Sequence, residues 1–151
     1  MAEKAQLIAD LKAKHEATRA LIADLDPGLV IHGDSGWRLR DIIAHMAVWY
    51  GVRVRSLQQW QTGDTYLVPG GDVEAFNMQT VADRAEWSYD AVFAEWESEF
   101  AALMDVLAAM PPEQFAQEMT LPWNAVGPVS LFVERLVEHQ RDHYDEIHAV
   151  V

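Results

Sequence analysis

The sequence lacks cysteine and has few basic residues. The absence of cysteine from 151 residues excludes disulfides, thiolate zinc sites and cysteine nucleophiles, so a transition-metal site would need histidine, aspartate, glutamate and water. Only 11 lysines and arginines stand against 24 acidic residues, a formal net charge of −13. Such a charge repels phosphate backbones and anionic lipid surfaces, so we expect no nucleic-acid partner and no membrane partner.

Long apolar runs are also absent. No segment approaches the roughly 18 consecutive apolar residues of a membrane span. The first residues, MAEKAQLIADLKAKHE, alternate charged with apolar positions, unlike a signal peptide. Half of the residues are hydrophobic (50%), enough for the core of a single domain over residues 1–151. We therefore expect a soluble, cytoplasmic, one-domain protein.

Apolar residues recur at three- and four-residue steps in four stretches, which predicts four helices. These stretches cover about residues 3–25, 39–61, 82–109 and 129–148. The connection over residues 62–81 is the longest, and a loop of about twenty residues in a compact domain is more often functional than idle. The pattern predicts an all-α, up-down four-helix bundle with a long connection after the second helix.

Two histidines share the apolar stripe of the fourth predicted helix. His139 and His143 are four residues apart, a spacing that lets two imidazoles reach one metal ion. Gln140 stands where the zinc-protease motif HExxH has its glutamate, so that class of enzyme is excluded. The alternative is a pair of satisfied core histidines. Burying an unpaired imidazole costs about 1–3 kcal/mol, and a metal would remove that cost.

A third ligand would come from another helix. His148 lies about 140° around the helix from His143, too far to join the same ion. His32 falls in a turn, and His15, between charged neighbours, is expected to face solvent. His45, in the second predicted helix, is the best remaining candidate.

Two acidic residues lie within one turn of these histidines. Asp41 precedes His45, and Glu146 follows His143. Either could act as a catalytic base or orient a ligand imidazole. The alternatives are an early-helix acid favoured by the helix dipole for Asp41 and a solvated side chain for Glu146.

Several further residues are candidates for a pocket. Trp123 and Asn124, just before the fourth helix, could line its mouth, and Trp49 lies one turn after His45. Loop packing for Trp123 and core packing for Trp49 are the alternatives. Three arginines could hold a substrate carboxylate or form solvated salt bridges: Arg38, Arg53 and Arg55.

Three segments resemble the DinB-like superfamily of four-helix bundles. GWRLRDIIAHMAVWYGVRVRSLQQW is similar to its helix-two signature and EHQRDHYDEI to its C-terminal His-x-x-x-His, while AFNMQTVADRAEWSYDAV resembles the DfsB/ClbS-like branch. The resemblance implies that His45, His139 and His143 bind one divalent metal, often zinc or nickel. It also implies one of two kinds of function. Some members of the superfamily are thiol-dependent transferases or isomerases that use mycothiol or bacillithiol, and members of the DfsB/ClbS-like branch are resistance or hydrolytic proteins that can lack the triad.

Two hypotheses from different classes follow. The first is a metal-dependent hydrolase or thiol-dependent transferase acting on a small organic molecule, with a thiol as a further cofactor in the second case. The second is a non-enzymatic stress or resistance binding protein in which the histidine site is structural. A homodimer is a third, weaker interpretation.

Overall fold

Five α-helices and one small hairpin are found in the part of the chain that the structure describes. The computed structural model describes residues 3–151. The elements follow in the order α1 Lys4–Ile22, α2 Leu39–Gln61, α3 Val73–Asp83, α4 Tyr89–Ala109, β1 Glu118–Thr120, β2 Val126–Pro128 and α5 Val129–His148, with 3₁₀ turns at Pro69–Gly71 and Pro112–Ala116. The four long helices form the bundle, which confirms the predicted fold class.

Helix α2 is the central element. Residues 41–54 are buried without interruption, as expected for a helix enclosed on every side. It packs along α4, while α1 packs along α5. The apolar stripe of α4 supplies the middle of the core, where Trp96, Leu103 and Leu107 are inaccessible to solvent. The polar side chains of this helix, such as those of His45 and Arg53, are therefore buried in the protein interior, where each needs a bonding partner or a function to offset the cost of burial.

The long connection differs from its prediction. Residues 62–81 are not a plain loop, because α3 begins at Val73 after its N-cap Asp72, whose side chain accepts a hydrogen bond from the Ala75 amide. The third predicted helix is also shorter than expected. It starts at Tyr89, after the N-cap Ser88, and residues 82 and 83 belong to α3 instead.

A second, smaller hydrophobic cluster ties this connection to the bundle. Val48, Trp49 and Val52 of α2 pack there with Val68, and Phe76 of α3 lies against them. Trp49 Nε1 also donates a hydrogen bond to Asn77 Oδ1 at 2.7 Å. The connection is thus packed against one side of α2 and covers it.

The hairpin was not predicted. Strands β1 and β2 pair antiparallel, with Met119 opposite Gly127, and each is only three residues long. Such short strands carry too little alternation to be recognised in a sequence. Over residues 3–151 no helix is long and apolar enough to cross a membrane.

Candidate metal centre

Three imidazoles meet between two helices of the bundle. His45 comes from α2, and His139 and His143 lie one turn apart on α5. The Nε2 atom of His139 lies 3.0 Å from that of His45 and 2.9 Å from that of His143. One ring nitrogen of each residue lies within 4.8 Å of the other two. The three residues singled out in the sequence therefore form one group that could hold a metal ion.

Burial keeps two of these imidazoles, those of His45 and His139, neutral. It lowers the pKa of His45 to about 3, with a further contribution from the neighbouring His143. It also holds the pKa of His139 well below its ordinary value. Neutral imidazole is the form that offers a lone pair to a metal. Protons therefore compete little for these two nitrogens at neutral pH.

The spacing and the donor set fit a divalent transition metal. Metal–nitrogen bonds of about 2.0–2.1 Å at tetrahedral angles place neighbouring nitrogens roughly 3.3 Å apart. The observed separations of 2.9 and 3.0 Å require only a small expansion. Imidazole nitrogens suit zinc, nickel, copper and iron.

Glu146 orients one of the three histidines. Its Oε2 lies 2.7 Å from His143 Nδ1 and 2.9 Å from His32 Nε2. Burial disfavours the charge of Glu146, but the hydrogen bonds from the two histidines outweigh it and lower the pKa of the carboxyl to about 2. The carboxylate thus fixes the Nδ1–H tautomer of His143 and leaves Nε2 for the cluster. A carboxylate on the outer ring nitrogen of a histidine is common at metal sites, where it orients the ligand.

His32 lies next to the cluster, which its position in a turn did not predict. It is not a member of the cluster, but it shares Glu146 with His143 and stacks on Trp37 with ring centroids 5.9 Å apart. Trp37 in turn lies 5.3 Å from the His45 ring. The turn before α2 therefore closes the cluster on one side.

Asp41 is engaged at the start of α2. Its Oδ2 accepts hydrogen bonds from the Arg38 backbone amide at 2.9 Å and from Arg38 Nε at 3.0 Å. This geometry fits the helix-start alternative stated above for Asp41. His45 Nδ1 is buried and has no hydrogen-bond partner among the described residues, so Asp41 does not orient it.

A cavity of about 360 Å³ adjoins the cluster. His45 and His139 line it, together with Trp49, Trp123, Arg53, Val73, Asn77 and Arg135. Asn124 does not line it. That residue takes the left-handed conformation, with φ 65°, in the turn between the two strands, where its amide binds the Leu121 carbonyl oxygen. Asn124 therefore shapes the turn that carries Trp123.

His15 is buried, which corrects the expectation that it faces solvent. It is 2% exposed and stacks on Phe100, with its Nδ1 3.1 Å from Tyr50 Oη and its Nε2 2.6 Å from Glu97 Oε1. Tyr50 Oη also accepts from Gln140 Nε2 at 2.8 Å. Gln140, at the position of the HExxH glutamate, points into this network and not toward the histidine cluster.

Solved structures share this fold over nearly the whole chain. A Streptococcus pneumoniae protein matches with a TM-score of 0.81 at 12% identity, covering 99% of this chain and 90% of that one. An uncharacterised Clostridium difficile 630 protein matches with a TM-score of 0.81 at 12% identity, covering 99% and 95%. The colibactin self-resistance protein ClbS, crystallised in complex with a dsDNA, matches with a TM-score of 0.82 at 9% identity, covering 99% and 95%.

These likenesses concern the fold. No protein-family model matches the sequence. No curated protein matches it either. At identities of 9–12% the shared property is the fold, so the comparisons confirm the resemblance to ClbS-like bundles at the level of the fold alone.

The expectation of no nucleic-acid partner is wrong. ClbS has the same fold and was crystallised with a dsDNA. Net charge sums over the whole surface, whereas a phosphate backbone contacts one face and responds to the charges there. A sum of −13 is therefore no ground for excluding nucleic acid from a bundle of this kind.

Proposed function

We propose that this chain is a metal-dependent enzyme that hydrolyses a small organic molecule or transfers a thiol to it. His45, His139 and His143 would hold one divalent ion, zinc or nickel. The observation that carries the proposal is that the Nε2 atoms of this cluster converge beside a cavity that His45 and His139 themselves line. A metal bound there would face a space of about 360 Å³, which lies within the range of small-molecule pockets.

Three neutral ligands would leave the ion its full double charge. An ion of this kind lowers the pKa of a bound water, or holds an incoming thiol as thiolate. Side chains of the protein would orient the ligands and hold the substrate. Glu146 keeps His143 in one tautomer, and the Trp49 and Trp123 rings, with centroids 6.4 Å apart, shape the wall that would hold the substrate.

The thiol and hydrolytic versions differ in what occupies the cavity. In the transferase version a low-molecular-weight thiol of the mycothiol or bacillithiol type would enter with the substrate. In the hydrolase version water alone would be the nucleophile. Turnover of an ester panel and of thiol-acceptor substrates, each with and without added thiol, separates the two.

Metal analysis of untagged protein is the first test. We expect one divalent ion per chain in the wild type and its loss in His45→Ala and His139→Ala. His148→Ala is the matched control, because His148 is an exposed histidine on the same helix as His139 and lies outside the cluster. Unchanged metal content in His45→Ala would contradict the proposal.

A second candidate is a non-enzymatic resistance protein with a structural metal. It is favoured by the likeness to ClbS, a self-resistance protein crystallised with a dsDNA. Chelation separates the two candidates: loss of a structural ion lowers the melting temperature strongly, whereas a catalytic site loses turnover and keeps its melting temperature nearly unchanged. Titration with duplex DNA at several salt concentrations tests the nucleic-acid side of this candidate, because phosphate contacts weaken as salt rises.

A further inference from the structure

Arg53 is a buried cation without a counter-charge. Its side chain is 4% exposed, and its Nε has no hydrogen-bond partner among the described residues. Burial lowers the pKa of Arg53 to about 9, so the guanidinium remains charged at neutral pH. No carboxylate of residues 3–151 forms a salt bridge with it, although the chain has 24 acidic residues.

Other arginines of the chain show how unusual this is. Arg19, Arg38 and Arg84 each pair with a carboxylate at 3.0 Å or less. Arg135, at the same cavity, pairs with Glu138 at 2.9 Å and is 54% exposed. An unpaired buried ion costs several kcal/mol, and a fold tolerates that cost where the ion has a task.

Aromatic rings hold the guanidinium in place. Its Cζ lies 4.6 Å from the Phe132 ring centroid, 5.5 Å from that of Trp49 and 5.7 Å from that of Trp123. Such contacts attract a cation but leave its N–H donors unsatisfied. The side chain is positioned, and its hydrogen-bonding capacity is still available to a ligand.

Arg53 faces the same cavity as the histidine cluster. His45, Trp49 and Arg53 follow one another at four-residue steps on α2, and all three line the cavity. Their spacing places the backbone of Arg53 about 12 Å further along the helix than that of His45. The cavity therefore has the nitrogen cluster toward one end and a fixed positive charge toward the other.

We propose that Arg53 binds the carboxylate of the substrate, so that the cavity accepts small organic monoanions, with the reacting group toward the histidines. The guanidinium fork matches the two oxygens of a carboxylate. One buried guanidinium balances one negative charge, whereas the second charge of a phosphate dianion would find no free buried cation in the cavity lining, because Arg135 is already paired with Glu138. This inference rests on the proposed function, because it treats the cavity as the substrate pocket.

Binding of benzoate and of its neutral isostere benzamide tests the inference. Trp49 and Trp123 line the cavity, so their fluorescence reports occupancy. We expect wild-type protein, with its metal content measured, to bind benzoate roughly ten- to a hundredfold more tightly than benzamide, the range of a charge-assisted hydrogen-bonded pair. Phenyl phosphate is expected to bind more weakly than benzoate.

Variants at Arg53 identify the group responsible. In Arg53→Met the preference for benzoate should disappear while benzamide binding and metal content persist. Arg53→Lys keeps the charge without the fork and should bind benzoate with intermediate affinity, so it serves if the methionine variant fails to fold. Arg55→Met is the control, because Arg55 lies on the exposed side of the same helix against Tyr66.

The outcomes separate this inference from the proposed function. Equal binding of benzoate and benzamide by the wild type, tighter binding of phenyl phosphate, or a benzoate preference that survives in Arg53→Met would overturn the role of Arg53. Lack of stoichiometric metal with an intact, Arg53-dependent benzoate preference would instead overturn the metalloenzyme proposal and leave the anion site standing.

Discussion

Glu146 holds His143 by the nitrogen that faces away from the cluster, with 2.7 Å between Oε2 and Nδ1. The same oxygen lies 2.9 Å from His32 Nε2, so one carboxylate links α5 to the turn before α2. This contact determines which lone pair of His143 remains for a metal. It also connects the cluster to a residue far away in the sequence.

Replacing Glu146 by glutamine should weaken metal binding roughly ten- to a hundredfold, because a neutral amide oxygen orients and polarises the imidazole less than a carboxylate does. Competition with a chromophoric chelator measures the Kd. Glu138→Gln is the matched control on the same helix, since Glu138 pairs with Arg135 rather than with a histidine. Equal affinities in all three proteins would show that the contact does not tune the site.

The metal-free protein should lose stability as the pH falls from 6.5 toward 5. The pKa of His45 is about 3 in the folded chain and 6.5 in the reference state, so below 6.5 the unfolded chain binds a proton that the folded chain does not. Stability therefore rises with pH across this window, and this residue accounts for about 2 kcal/mol at pH 5. Urea unfolding of chelator-treated protein at several pH values measures the slope.

Two variants test whether the dependence of the unfolding free energy on pH arises from the histidine cluster. His45→Gln should flatten it by up to about 1.4 kcal/mol per pH unit, the value of one proton. His148→Gln, an exposed histidine outside the cluster, should leave it as in the wild type. A slope that is identical in His45→Gln and wild type would contradict the argument.

Tyr50→Phe should destabilise the bundle by about 2–4 kcal/mol, because it removes two buried hydrogen bonds at once. Gln140 Nε2 donates to Tyr50 Oη, so the hydroxyl proton is directed to His15 Nδ1 and the opposite His15 nitrogen donates to Glu97. The phenylalanine leaves His15 Nδ1 without its partner. Chemical denaturation measures the change.

Tyr144→Phe is the control for that substitution. Tyr144 is half-buried on α5, and its interactions are made by the ring, with Lys14 and His148 against it. Loss of its hydroxyl should change stability by less than about 0.5 kcal/mol. If Tyr50→Phe costs no more than Tyr144→Phe, the buried network contributes nothing to the stability of the fold.

The bundle and the histidine cluster were both predictable from local patterns. The limits of α2 and α5 follow from apolar residues at helical spacing, and the i, i+4 pair on α5 indicated two members of the cluster directly. His15 was misjudged because its charged sequence neighbours lie about 100° away on the helix and do not report the face it occupies. Its partners, Tyr50 and Glu97, come from two other helices.

Two features of the candidate site could be found only from the tertiary structure. Nothing in the sequence near His32 indicates that it shares Glu146 with His143, because the two ends of that contact are joined only by folding. The lack of a salt-bridge partner for Arg53 could not be predicted either, because a sequence shows which charged residues are present but not which of them form ion pairs in the fold. The start of α4 was predicted too early. The residues between α3 and α4, among them Arg84 and Trp87, are compatible with a helix, whereas in the structure the chain is non-helical there and α4 begins only after its N-cap Ser88.

The connection that carries α3 also contributes Val73 and Asn77 to the cavity, and it is attached to the bundle through its own small hydrophobic cluster. No residue of the histidine cluster lies in that segment. This segment thus supplies part of the cavity wall and none of the residues that would bind the ion. Under the proposed function, substitutions confined to residues 62–88 would therefore change which molecules the cavity accepts and would leave the histidine cluster in place.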